Sequence, residues 1–188
     1  PPRSTLFPYT TLFRSVTAAD NGRLMFNRAF SELLGSSGIF SAESLWNFRG
    51  ESVKKLLKER GTERVFLNGP SGEKVEAYIK RYTRVPVKQT VKAALTLKFK
   101  SFDAFDEWNS IIAFHNAGLP TMQPMAVAKC NDGTCSLALG ISGYTKASEM
   151  FRKLEKGSPR RRALIWKIAA LGAGMHNAGL AHQDFYLV

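Results

Sequence analysis

The chain has 188 residues, of which 44% are hydrophobic and 22% charged, and its formal net charge is +12. These proportions are those of a soluble globular protein with a sizeable core, in one domain or slightly more. No run of about eighteen apolar residues occurs, which argues against a transmembrane helix. The positive charge implies an anionic partner, which is nucleic acid, an acidic membrane surface or a phosphorylated substrate.

Residues 1–15 lack the pattern of a folded segment. Thr5-Leu6-Phe7 recurs as Thr11-Leu12-Phe13, and no helical or strand periodicity follows. Residues 5–15 resemble the translation of a common sequencing-adapter oligonucleotide. We therefore predict a non-native tail over residues 1–15 and exclude it from the fold.

The remaining chain divides into three predicted regions. Residues 16–49 form an N-terminal extension, residues 50–140 a domain built on an antiparallel sheet, and residues 141–188 the start of a helical domain. Within the extension, the spacing of apolar residues over 26–34 predicts a short helix.

The sheet domain opens with a meander of strands. Apolar runs separated by polar turns predict strands over residues 53–57, 64–67 and 75–82. Lys80 lies among apolar residues of the third strand. A lysine in a half-buried strand needs a carboxylate or phosphate partner, unless its side chain points outward to solvent.

The first turn of this meander, over residues 58–63, is polar. It contains one glycine, Gly61, and no G-x-G-x-x-G pattern. Phosphate binding at this turn would therefore depend on Lys58, Arg60 and backbone amides.

A strongly basic stretch follows the third strand. Residues 80–100 contain seven Lys or Arg residues and no acidic residue. Such a stretch forms a solvated face, or alternatively a site for a membrane surface or an anionic sugar lipid. Its few aromatic residues argue against binding of single-stranded nucleic acid.

A helix is predicted over residues 101–117, with Ser101 as its N-cap. A core-facing stripe recurs at spacings of three and four, at Phe105, Trp108 and Ile112. Glu107 lies beside this stripe, so its carboxylate is partly turned toward the core. It is the candidate partner of Lys80, and the alternative is an ordinary surface glutamate.

A hairpin is predicted next, with strands over residues 125–129 and 134–141. Cys130 and Cys135 flank its turn and are expected to face each other across the two strands. Two reduced thiols are the favoured interpretation, and a strained disulfide is the alternative. A metal site is not expected, because no further ligand lies at the required spacing.

The last third of the chain is predicted to be helical. Residues 145–156 form a polar helix, and Ser158-Pro159 begins a second helix over residues 160–178. The second helix has an apolar stripe at Leu164, Ile168, Leu171 and Met175. It leads through Gly179 to a loop that contains His182-Gln183-Asp184.

The order of these elements and motifs resembles the protein-kinase-like fold, an α+β fold. Over residues 50–188 the chain is most similar to the lipopolysaccharide core kinases of the Kdo/WaaP family, which phosphorylate inner-core sugars of bacterial outer-membrane glycolipid. The residues that carry the resemblance form five motifs: Tyr78-Ile79-Lys80-Arg81-Tyr82, Glu107-Trp108-Asn109-Ser110-Ile111, Gly118-Leu119-Pro120-Thr121-Met122-Gln123-Pro124-Met125-Ala126, Met175-His176-Asn177-Ala178-Gly179-Leu180 and His182-Gln183-Asp184-Phe185-Tyr186-Leu187.

The resemblance implies a kinase small lobe over residues 50–140 and the hinge and truncated start of a large lobe over 141–188. It further implies that Lys80 contacts the nucleotide phosphates and that Glu107 positions Lys80. Asp184 would accept or orient the proton of the sugar hydroxyl, and His182 would brace the loop.

The remaining nucleotide contacts are also implied by the resemblance. Lys58, Arg60 and Gly61 would cover the phosphates of ATP, while Leu139 and Gly140 would line the adenine pocket at the hinge.

The sequence departs from the protein-kinase pattern in two respects, which bear on the acceptor and on the activity of the polypeptide. Gln183 stands where protein kinases usually carry arginine, which favours a small-molecule or glycolipid acceptor. The sequence also stops at Val188, before the residues that would hold Mg²⁺. We therefore expect the 188-residue polypeptide itself to be inactive, with the metal ligands beyond residue 188.

The implied partners are ATP, an anionic Kdo- or heptose-bearing lipid A precursor and the inner-membrane surface of a Gram-negative cell. No specific nucleic-acid partner is implied. The implied location is cytoplasmic and peripheral at that membrane. Three alternatives stay open: a binding-only pseudokinase, a basic membrane-surface adaptor, and a phosphotransferase of the aminoglycoside or choline type.

Overall fold

The computed structural model describes residues 16–57, 60–83, 103–141 and 143–180. These residues form one antiparallel sheet with helices on both of its faces, which confirms the α+β class. The strands are β1 (Val16–Ala19), β2 (Leu24–Asn27), β3 (Glu51–Leu57), β4 (Arg60–Asn68), β5 (Lys74–Thr83), β6 (Pro124–Cys130) and β7 (Gly133–Leu139). The helices are α1 (Ser31–Ser36), α2 (Ala42–Asn47), α3 (Ala104–Asn116), α4 (Ala147–Lys153) and α5 (Pro159–Asn177).

The order of strands in the sheet is β1-β2-β6-β7-β5-β4-β3. Side chains alternate between the two faces of each strand, so each face has its own core. On the back face, Ala77 and Ile79 of β5 pack with α1 and α2 in the larger apolar cluster. On the front face, Tyr82 of β5 packs with Ala104 and Trp108 of α3.

Residues 16–49 belong to the same sheet. Strand β2 pairs with β6, where Phe26 lies opposite Ala126, and β1 extends the sheet by one more strand. The helix predicted over residues 26–34 is therefore wrong in its first half. Strand pairing holds Phe26 extended, and the Asn27 side chain accepts a hydrogen bond from the Ala29 amide at the start of a 3₁₀ turn that precedes α1.

The meander predicted from the apolar runs is confirmed, with one correction at its first turn. Strand β4 begins at Arg60 and continues through Gly61, so most of the predicted polar turn is strand. The pairing of Arg60 with Tyr82 and of Gly61 with Arg81 explains the difference, because each pair satisfies backbone groups that a loop would leave to water. Lys58 lies outside the described residues, as does most of the basic stretch 80–100.

Helix α3 is confirmed but begins later than predicted. Its N-cap is Asp103, whose carboxylate accepts from the amides of Phe105 at 2.8 Å and Asp106 at 3.0 Å. Asp106 completes a capping box by accepting from the Asp103 amide. The predicted cap, Ser101, lies outside the described residues. The predicted stripe is confirmed, since Trp108 is fully buried on the front face of the sheet.

The hairpin of β6 and β7 is confirmed. Its register pairs Cys130 with Gly133 and Ala128 with Cys135, so the two cysteines are diagonal neighbours and do not directly oppose each other. Both are free and buried. A hydrogen bond with Cys130 and burial together raise the pKa of the Cys135 thiol, and the Cys130 thiol donates to the Ala42 carbonyl at 3.2 Å.

Helix α4 is shorter at both ends than the predicted helix over residues 145–156, whereas α5 has the predicted length and begins and ends one residue earlier. In α5 the Ser158 side chain caps the first turn by accepting from the Arg161 amide at 3.3 Å. Met175 of the predicted stripe is buried, whereas Trp166 on the other side of the helix is 74% exposed. Across the described ranges, no helix combines the length and the apolar character that crossing a bilayer requires.

Candidate active site

Lys80 and Glu107 form an ion pair on the front face of the sheet. Lys80 reaches this face from the middle of β5, because side chains alternate along the strand, and Glu107 reaches it from the first turn of α3. The Glu107 side chain is 14% exposed and that of Lys80 is 36% exposed. The carboxylate is therefore enclosed by protein while the ammonium group stays accessible from solvent.

Two hydroxyl groups hold the second oxygen of Glu107. Tyr82 Oη and Ser136 Oγ each donate to Glu107 Oε2 at 3.1 Å, while Glu107 Oε1 accepts from Lys80. Arg60 donates through Nη2 to Tyr82 Oη at 3.2 Å, and its guanidinium carbon lies 4.8 Å from the centre of the tyrosine ring. Glu107 thus has donors on both oxygens, supplied by β5 and β7.

Burial and the neighbouring charge of Glu107 raise the pKa of Tyr82 to about 12. Each of these causes favours the neutral phenol, because an anionic oxygen would lose its hydration and face a carboxylate. The Tyr82 hydroxyl therefore keeps its proton and remains a donor at physiological pH.

A cleft of about 290 Å³ opens beside the ion pair. Its walls come from β4, β5, α3, β7 and the segments on either side of them. The lining residues are Thr62, Tyr78, Lys80, Glu107, Trp108, Ile111, Met122, Pro124, Ser136, Leu137, Ala138, Leu139 and Ile141. Most of this surface is apolar and the charged groups lie together, an arrangement that suits a flat aromatic ligand with an anionic tail.

The other predicted site residues lie around this cleft or outside the described part of the chain. Leu139 lines the cleft. Gly140 follows it directly, and its amide donates to the Glu76 carbonyl at 2.8 Å. Gly61 follows Arg60 on β4, where it pairs with Arg81 of β5. Lys58, His182 and Asp184 fall outside the described residues, so their roles stay predictions.

Sequence reasoning missed the two hydroxyl donors to Glu107. Tyr82 could have been found, because it lies two residues after Lys80 and therefore on the same face of β5. Ser136 could not, because it lies opposite Lys80 only through the pairing of β5 with β7, and the two residues are more than fifty positions apart in the chain.

Within the described ranges, no group of three His, Cys, Asp or Glu side chains is placed to hold a metal ion. The donor set around Glu107 consists of a lysine and two hydroxyl groups, which satisfy the carboxylate without a metal ion. The described residues therefore do not themselves supply ligands that fit Mg²⁺.

Comparison with known proteins identifies the family of the chain. The chain is 28% identical over 160 residues to the lipopolysaccharide core heptose(I) kinase WaaP of Pseudomonas aeruginosa, covering 76% of this chain and 58% of that relative. The chain thus spans a little over half the length of the relative. No solved structure matches it. The model of the Lipopolysaccharide kinase (Kdo/WaaP) family matches residues 43–188, and the chain belongs to this family.

Proposed function

We propose that the protein is the nucleotide-binding part of an ATP-dependent kinase that phosphorylates an inner-core sugar of lipopolysaccharide, Kdo or heptose. The observation that carries this proposal is the ion pair of Lys80 and Glu107 at the charged end of an apolar cleft. Membership of the Kdo/WaaP family and the similarity to a heptose kinase support it. Residues 50–140 then correspond to a kinase small lobe, and residues 141–188 to the hinge and the start of a large lobe.

In this proposal the cleft binds ATP, which supplies the phosphoryl group. Its apolar walls, including Leu139 and Ile111, hold the adenine ring by burying its faces. Lys80 turns its ammonium group to the phosphates while Glu107 fixes its position. Arg60 pairs with Tyr82, two residues along the strand from the pair of Thr62 with Lys80, so it lies on the same face and adds a second positive charge there.

The catalytic groups for the acceptor are proposed from the motif alone. Asp184 would orient the sugar hydroxyl toward the γ-phosphate, and His182 would brace its loop. The acceptor is itself anionic, and the net charge of +12 would attract both it and the acidic inner-membrane surface. Exposed cations on α4 and α5, such as Arg152 and Arg160, support this attraction.

Binding of ATP by calorimetry tests the proposal. The native chain should bind ATP, and Lys80→Ala should weaken the affinity at least about tenfold, because a charge-assisted contact to phosphate is lost. Lys74→Ala is the matched control, since Lys74 lies on the same strand and donates a hydrogen bond to the Asn68 side chain, far from the cleft. An equal loss in both variants, or no binding by the native chain, would contradict the proposal.

Transfer is best assayed on a form of the protein that extends as far as the relative. Asp184→Asn should abolish transfer to a Kdo- or heptose-bearing acceptor while leaving the affinity for ATP unchanged. Retained transfer in this variant would remove Asp184 from the proposed mechanism.

A further inference from the structure

We propose that the hydroxyl groups of Tyr82 and Ser136 are positioning groups, which hold the Glu107 carboxylate in place for Lys80 before any nucleotide binds. This inference rests on the proposed function, because it assigns these hydroxyls a role in ATP binding. It differs from the pairing of lysine with glutamate, since Lys80 donates to Oε1 whereas both hydroxyl groups donate to Oε2, the other oxygen of the carboxylate.

The two carboxylate oxygens of Glu107 accept hydrogen bonds from different groups: Oε1 from Lys80 and Oε2 from the two hydroxyl groups. Tyr82 and Ser136 lie on neighbouring strands, β5 and β7, and their hydroxyl groups converge on Oε2 from the sheet. Ser136 lies directly opposite Lys80 in the strand register. With Oε2 fixed against the sheet, the carboxylate plane can present only Oε1 to the lysine.

Arg60 determines the direction of the Tyr82 hydroxyl. An arginine has only N–H donors, so the Tyr82 oxygen must accept the bond from Arg60 Nη2. Its single proton is then available for Glu107, which as a carboxylate can only accept. The guanidinium over the ring keeps the tyrosine in this rotamer, and the raised pKa of Tyr82 keeps the proton on the oxygen.

This arrangement lets Lys80 move without disturbing helix α3. When the ammonium group turns toward a phosphate, Glu107 keeps two donors and no buried carboxylate is left without a partner. A further bond, from the Ala104 amide to Thr134 Oγ1 at 3.1 Å, holds the start of α3 to β7. These bonds together hold the start of α3 and the Glu107 carboxylate against the sheet.

A double-mutant cycle on ATP affinity tests the inference in the full chain. Ser136→Ala and Tyr82→Phe should each weaken the affinity for ATP about three- to tenfold when Glu107 is present. In a Glu107→Ala background the same substitutions should change the affinity less than about twofold, because their target has gone. Ser136→Thr, which keeps a hydroxyl, should restore most of the affinity.

Controls and contrary outcomes separate this inference from the proposed function. Ser110→Ala on the exposed side of α3 and Tyr144→Phe, whose residue is 70% exposed, should leave the affinity unchanged. Equal losses of ATP affinity with and without Glu107, or no loss in either background, would overturn the positioning role. ATP binding by the native chain would still uphold the proposed function in that case. Absence of ATP binding by the native chain would overturn both. Circular dichroism verifies that each variant is folded. If Tyr82→Phe does not fold, the comparison of Ser136→Ala with and without Glu107 tests the positioning role by itself.

Discussion

Lys80 and Arg81 are consecutive residues of β5 whose cationic groups lie on opposite faces of the sheet. Lys80 pairs with Glu107 in the cleft on the front face. Arg81 is buried on the back face, where Nε donates to the Trp46 carbonyl at 2.9 Å and Nη1 lies 2.8 Å from Glu63 Oε1. Burial lowers the pKa of Arg81, and Glu63 opposes this shift. One strand therefore supplies a cation that faces the cleft and a structural cation side by side.

We expect Arg81→Met to destabilise the protein by about 2–3 kcal/mol without changing the ATP affinity of the folded molecules. The substitution removes the donor to the carbonyls of Trp46 and Phe48 and leaves Glu63 without its ion-pair partner. Urea unfolding measures the loss. Arg162→Met, at an exposed position of α5, is the control and should stay within about 0.5 kcal/mol. Equal midpoints for the native chain and Arg81→Met would contradict the structural role.

Two glycines at the candidate site should respond differently to alanine. A Cβ atom on Gly140 would lie 2.7 Å from the Glu76 carbonyl oxygen, so Gly140→Ala must push β7 away from β5. We expect a loss of about 1–3 kcal/mol in thermal or urea unfolding. A Cβ atom on Gly61 meets nothing within 4 Å, and Gly61→Ala should be neutral or slightly stabilising. The reverse ranking would show that the close approach of Gly140 is absent in solution.

Stability should fall at alkaline pH through Tyr82. Its pKa is raised from 10.0 to about 12 in the folded protein, so the neutral phenol is favoured by folding. This contribution is fully present below the unfolded value of 10.0 and is lost as the pH rises through about 12. Urea unfolding at about pH 9 and about pH 11 should show a smaller drop for Tyr82→Phe than for the native chain. Tyr144→Phe should lose as much free energy of unfolding between these two pH values as the native chain. An identical loss in all three proteins would contradict this prediction.

Residues 16–49 should unfold together with the rest of the sheet. Leu45 of α2 is fully buried on the back face, and Leu45→Ala should cost about 2–5 kcal/mol. Phe40→Ala, five residues earlier at a site 70% exposed, should cost less than about 0.5 kcal/mol. One cooperative transition in both variants is expected by fluorescence and circular dichroism. Two separate transitions would indicate that these residues fold as an independent extension.

Much of the fold follows from local patterns. Apolar runs separated by polar turns identified strands β4 and β5, and helical spacing identified the buried stripe of α3 that contains Trp108. The same patterns failed at residues 26–34, where Phe26 is apolar at a helix-compatible spacing but pairs with Ala126 in a strand. Sheet pairing between residues a hundred positions apart overrides local propensity there.

The sequence by itself determined the elements of the site: a lysine in a half-buried strand, a glutamate beside a core-facing stripe, and the motifs that resemble the Kdo/WaaP family. Only the tertiary structure decided that Glu107 receives Tyr82 and Ser136 on one oxygen and Lys80 on the other. Hydrogen bonds act over about 3 Å, and residues so far apart in the chain reach that distance only through strand register and helix packing. The identity of each group is local information, whereas its partner depends on the whole fold.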